Sequence, residues 1–105
     1  MLSARASISE LQAYVAEVEK KRGFNESVVE KCLLLGEEVG ELFKAVRAIS
    51  GLGVDPKSHI GHVGEELADV MFYLLAIANR CGVDLGNAME KKDERNSSRV
   101  WERNS

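Results

Sequence analysis

Apolar positions along this chain recur at steps of three and four rather than two, and they do so in four separate segments. In "SELQAYVAEVEKK" Leu11, Val15 and Val18 form one stripe. Ser9 with Gln12 three residues later has the form of a capping box, and Gly23 closes the segment. Asn25 or Ser27 opens "ESVVEKCLLLGEEVGELFKAVRAIS", a second helix of about 25 residues in which Leu35, Val39, Leu42, Val46 and Ile49 share a face until the punctuation "SGLG". Asp55 with Pro56, or Ser58, starts a third helix with Val63, Leu67, Val70, Leu74 and Ile77 on one stripe and Gly82 past its end. Asp84 caps a fourth through "LGNAMEKKDERN". With one proline in the chain, these patterns predict an all-α fold.

The middle of the third helix, "VMFYLLAIA", is apolar on every side. A helix of that kind has to be covered on every side, and three other helices in so short a chain leave part of it open. The expected architecture is therefore a four-helix bundle completed by oligomerisation. A length of 105 residues predicts a single domain over 1–105, with residues 1–8 and 102–105 flexible.

Composition narrows the function classes. Hydrophobic residues make up 45% and charged residues 30%, which places the chain among folded globular proteins. A net charge of -3 gives no basic footprint for polymeric nucleic acid or a membrane surface. The segment "MLSARASISE" has no apolar core of a secretory signal, and no stretch reaches the roughly 18 apolar residues of a membrane span, so the expected location is cytoplasmic. Cys32 and Cys81 lack CxxC spacing and are expected to be small buried apolar residues.

The informative anomaly is a set of carboxylates set against the apolar stripes. "GEEVGELFKAV" carries Glu37, Glu38 and Glu41, and "GEELADVMFYL" repeats the arrangement with Glu65, Glu66 and Asp69. Leu34, Glu38, Glu41 and Ala45 flank the stripe of the second helix as His62, Glu66, Asp69 and Tyr73 flank that of the third. If the two helices run antiparallel, the pairs Glu38/Glu41 and Glu66/Asp69 can face each other. Four carboxylates at about 5 Å would repel by roughly 3 kcal/mol per pair at an effective dielectric of about 20. Raised pKa values or hard cations relieve that repulsion, and an all-oxygen donor set suits Mg2+ or Mn2+. Mg2+ commonly bridges carboxylates to phosphate, which points to phosphoryl chemistry. Glu37 and Glu65 turn away from these stripes, to solvent or to support the ligands from behind. Gly36, Gly40 and Gly64, costly within helices, suggest close backbone packing nearby.

The pattern "EEVGE" at 37–41 followed by "ELAD" at 66–69 resembles that of the MazG-type nucleoside triphosphate pyrophosphohydrolases, over roughly residues 27–101. The resemblance implies an all-α fold, a homodimer or homotetramer, and Mg2+ held by Glu38, Glu41, Glu66 and Asp69, with Mn2+ as a possible substitute. It further implies hydrolysis of (d)NTP to (d)NMP and pyrophosphate, a nucleotide-pool house-cleaning role, and water activation by Glu41 or Glu38. Tyr73 resembles a position lining the nucleotide site of dCTP pyrophosphatase-type relatives. Lys92, Asn96 and Arg99 are similar to the family's Lys-x-x-x-Asn segment, which holds phosphate and sugar. Where some relatives place a base-stacking Trp, this chain reads "FKAVRAIS", leaving Phe24, Tyr14, Tyr73 or Trp101 as candidate base platforms. His59 and His62 at the mouth of the third helix are read as solvated, with a phosphate contact as the alternative.

Two other readings compete. A carboxylate-bridged di-iron bundle usually needs Glu-x-x-His pairs, and no His follows Glu38, Glu41 or Glu66 at that spacing. A non-catalytic dimerisation or regulatory module that binds metal and nucleotide would keep the same carboxylates, and product analysis distinguishes it from an enzyme.

Overall fold

The computed structural model describes residues 1–23 and 27–98. It contains four helices in chain order, α1 (Ile8–Arg22), α2 (Val28–Ile49), α3 (Val63–Arg80) and α4 (Leu85–Ser98), with no strand among the described residues. The all-α class and the number of helices agree with the sequence pattern.

Two helix starts differ from expectation. The capping box at α1 uses Ser7 and Glu10, not Ser9 and Gln12: the Ser7 hydroxyl accepts from the Glu10 N–H and the Glu10 carboxylate accepts from the Ser7 N–H. A carboxylate is the stronger acceptor and favours the positive end of the helix dipole, so of the two overlapping boxes the one with Glu prevails. Gln12 is thereby left for tertiary work. Its side chain donates to the Asn79 Oδ1 and the Val83 carbonyl and accepts from the Leu85 N–H, which ties α1 to the start of α4.

The second difference is α3, which begins at Val63 rather than near Pro56 or Ser58. Asp55 accepts from Lys57 and Ser58 to form a single turn that goes no further. From there to His62 the chain has no 3.6-residue periodicity that packing could reward. The other ends are as expected. Gly23 and Gly82 adopt left-handed φ values of 68° and 66° beyond α1 and α3, where glycine is least costly.

Helix α3 is the centre of the fold. Its longest packing partner is α2, followed by α1, while α4 packs chiefly on α1. Val15, Leu75 and Ala76 form the buried core, with Ile8, Leu11, Phe72 and Leu85 packed around them. Beside it lies a buried ion cluster. Glu19 of α1 receives two 2.7 Å hydrogen bonds from the Arg80 guanidinium of α3, and its other neighbour, the Lys31 ammonium of α2, is 3.2 Å away. All three side chains are less than a tenth exposed. Burial alone would raise the Glu19 pKa, but the hydrogen bonds and charges of Arg80 and Lys31 outweigh it and hold the group below its ordinary value.

The predicted apolar stripes are only partly covered within the chain: Leu35, Val39 and Leu42 on α2 and Val63, Val70 and Ile77 on α3 are half-buried. Val46 and Ile49 on α2 and Leu67 and Leu74 on α3 are exposed, together with Val29, Leu33, Phe43 and Met71. The most buried positions of the seam lie in the flanking row: Lys31 and Ala45 are buried, Leu34, Glu38 and Glu41 are half-buried, and Glu66 is buried on the facing helix. An extended apolar face is thus left uncovered, and the Cα radius of gyration of 17.1 Å exceeds the roughly 13 Å of a compact domain this long. Cys32 and Cys81 are also exposed, against expectation. Cys32 precedes Leu33 on the open side of α2, and Cys81 sits in the turn that ends α3. A Cβ added at Gly36, Gly40 or Gly64 would meet nothing within 4 Å, so the close packing expected of them is absent among the described residues of this chain.

Candidate metal centre

The seam between α2 and α3 runs antiparallel: Lys31 near the start of α2 lies over the Tyr73 ring, while Glu38, two turns on, meets the earlier part of α3. Residues three apart share a helix face, so Glu66 and Asp69 project together, and Glu38 projects toward them from the opposite helix. The three carboxylates offer oxygen atoms that all lie within 4.8 Å of one another. Glu66 is buried at 9% exposure, Glu38 is half-buried and Asp69 is open to solvent.

This crowding has an electrostatic signature. Burial, together with the charges of Asp69, Glu66 and Glu41 and a hydrogen bond with Glu66, pushes the Glu38 pKa above its ordinary value. Tyr73 borders the same cluster. Burial first, then the charges of Glu38 and Asp69, raises its pKa, which keeps the phenol protonated and able to donate. Its ring is fixed edge-on to Phe72 at 5.8 Å and has the Lys31 ammonium 5.7 Å from its centroid.

Not every residue singled out in the sequence joins this group. The Glu41 carboxylate is close enough to act on Glu38, yet it pairs with Lys44 at 3.2 Å and is not one of the three converging carboxylates. Glu37 and Glu65 are exposed, as are His59 and His62. His62 is the N-cap residue of α3 and its ring makes no capping hydrogen bond. Tyr14 is exposed on α1. Lys92 is exposed and Asn96 half-buried on α4, a helix that packs chiefly on α1. Arg99, Phe24 and Trp101 lie outside the described residues.

Two features of the site escaped the sequence reading. Lys31 is buried two turns before Glu38, a spacing that places it on the acidic face and so could have signalled it. The other is Gly61 in the loop before α3, whose backbone lies against the Glu66 carboxylate. No pattern in the sequence marks that contact.

The donor chemistry is all carboxylate oxygen, without thiol or imidazole, and this fits a hard divalent cation. The cluster can hold a metal ion, and three unscreened negative charges on two packed helices give the fold a reason to accept one.

Comparison with known proteins gives the family. Residues 25–101 match the MazG nucleotide pyrophosphohydrolase domain. YpjD of Bacillus subtilis, solved as a candidate pyrophosphatase, is similar in fold, with a TM-score of 0.79 at 23% identity over 93% of this chain and 100% of that one. The iMazG protein of Vibrio DAT 722 is 33% identical over 93% of this chain and 100% of its own, with a TM-score of 0.69. A second form of iMazG is 34% identical over 88% of this chain and 99% of its own, with a TM-score of 0.67. No curated protein matches the chain significantly. With a family match over most of its length and a paired acidic motif folded into one cluster, the chain belongs to the MazG family of nucleotide pyrophosphohydrolases.

Proposed function

We propose that this chain hydrolyses nucleoside triphosphates to the monophosphate and pyrophosphate, using Mg2+ with Mn2+ as a substitute. The observation that carries this reading is the convergence of Glu38, Glu66 and Asp69 from two helices within 4.8 Å. Glu38, Glu66 and Asp69 would hold the cation, and Glu41, on the same face one turn after Glu38, would complete the set or act beside it. A divalent cation bound there supplies positive charge against the phosphate oxygens.

The chain's own residues divide the remaining work. Hydrolysis breaks the bond between the α and β phosphates, adds water, and must place one proton. Glu41 is at the edge of the cluster and partly exposed, so it is the group that would orient the attacking water and take its proton. Tyr73, kept protonated beside Glu38, would donate a hydrogen bond to substrate oxygen. Lys92 and Arg99 would add charge against the phosphates, and Asn96 a neutral hydrogen bond. Glu37 and Glu65 would support the ligand carboxylates from the solvent side.

The uncovered apolar face of α2 and α3 supports assembly into a homodimer or homotetramer. It carries Leu33, Phe43, Leu67 and Met71 beside Gly36 and Gly40, whose open surroundings leave room for a second backbone. Lys92 and Asn96, carried away from their own seam on α4, would in such an assembly enter the site of another copy. A house-cleaning role in the cytoplasmic nucleotide pool is the setting that suits this chemistry.

The test is a screen of canonical, oxidised and methylated nucleoside triphosphates with a pyrophosphate readout. The reading predicts release with Mg2+ for at least one of them, none with EDTA and none from Glu38→Gln. Metal-dependent nucleotide binding with no turnover of any substrate would instead identify a regulatory module.

A further inference from the structure

Gly61 differs from the other glycines of this chain in what stands next to it. Its φ is not left-handed, so backbone conformation does not demand glycine there. A Cβ built on Gly61 would overlap the Glu66 Oε1 and come within 3.1 Å of its Cδ. Gly53 in the same loop has nothing within 4 Å of the corresponding position. Gly64, in the first turn of α3, is equally open.

We propose that Gly61 is a positioning residue for the metal centre. Its missing side chain leaves the space in which the Glu66 carboxylate lies and from which it presents an oxygen to Glu38 and Asp69. This rests on the reading that those carboxylates hold a divalent cation.

Position and stability respond differently to a side chain at residue 61. The atoms that a side chain at residue 61 would meet are the far end of a flexible side chain, not backbone. Rotation of Glu66 into another staggered conformer relieves the overlap at small energetic cost. What such a rotation gives up is the place of the oxygen, and a metal ligand displaced by even a fraction of its bond length no longer serves. Glu66 is the most buried of the three carboxylates, so it has fewest routes back to the cluster once Gly61 is filled.

The experiment measures Mn2+ binding by electron paramagnetic resonance, without nucleotide and without turnover, on the full chain and its variants. Gly61→Ala is expected to bind Mn2+ about ten- to a hundred-fold more weakly while keeping its helix content and melting temperature. Gly53→Ala should bind as the unaltered chain does. In a Glu66→Ala background, adding Gly61→Ala should change neither affinity nor melting temperature further, because the atoms it displaces are gone. Unchanged Mn2+ affinity in Gly61→Ala overturns the role of Gly61 and leaves the metal centre standing. Failure of the unaltered chain to bind Mn2+ overturns the metal reading beneath it. If Gly61→Ala unfolds the chain and does so equally in the Glu66→Ala background, the contact with Glu66 is not the reason for glycine and the proposal is wrong.

Discussion

Glu38 on α2 and Glu66 on α3 face each other across the seam with carboxylate oxygens within 4.8 Å, and the charge of Glu66 helps to raise the Glu38 pKa. Two helices whose principal contact includes such a pair are packed against a repulsion that only a proton or a cation removes.

One consequence is a pH dependence of the metal-free protein. The folded pKa of Glu38 lies above its ordinary 4.5, so the native state holds that proton more tightly than the unfolded chain does. The stabilisation is complete below 4.5 and is lost as pH rises through the higher folded value. Thermal melts in EDTA should therefore show Glu38 lowering stability from mildly acidic toward neutral pH. Mg2+ at neutral pH should restore what is lost, and Glu38→Gln should flatten this component.

Glu19 carries the opposite sign. Its folded pKa is lowered, so its contribution is present above 4.5 and disappears as pH falls through the folded value. Glu19→Ala removes the carboxylate between the buried Lys31 and Arg80 side chains and should cost about 3–5 kcal/mol by chemical denaturation. Glu19→Gln, which can still accept hydrogen bonds, should cost less. Because Lys31 lies over Tyr73, both variants should also change the fluorescence of that ring.

The placement of Glu41 beside Lys44, outside the three converging carboxylates, predicts a split between binding and turnover. Asp69→Asn should weaken Mn2+ binding at least about tenfold. Glu41→Gln should leave Mn2+ binding nearly unchanged and lower kcat by about 100- to 10,000-fold, the range expected for a lost proton acceptor. Equal losses of metal affinity in the two variants would place Glu41 among the ligands instead.

The exposed face supplies a prediction about assembly. Met71 is 43% exposed in the single chain, so Met71→Glu should alter that chain's own stability by no more than about 0.5 kcal/mol. In sedimentation the same substitution should shift the protein toward the single-chain mass. An unchanged mass would remove this face from consideration as the contact between copies.

The helices were legible because their signals are local: spacing of Leu, Val and Ile, and glycine at Gly23 and Gly82. The carboxylate grouping was legible because two segments repeat the same offset from an apolar stripe, which put Glu38 opposite Glu66 and Asp69. What escaped was decided by tertiary contact. The choice of which stripe positions face inward could not be read from periodicity, since Leu35, Val39 and Leu42 are half-buried beside the acidic row while Val46 and Ile49 of the same stripe stay open. The exposure of Cys32 follows from that choice. Ser7 prevailed over Ser9 because Glu10 is the stronger capping partner. The irregular stretch before Val63, with Gly61 against Glu66, depends on a side chain five residues away and left no periodic trace.

Under the proposed function the chain would cleave a nucleoside triphosphate between its α and β phosphates. Phosphorus-31 NMR of the products, formed from the best substrate with Mg2+, tests it most directly. Monophosphate and pyrophosphate in equal amounts is the predicted result; nucleoside diphosphate with inorganic phosphate would contradict it.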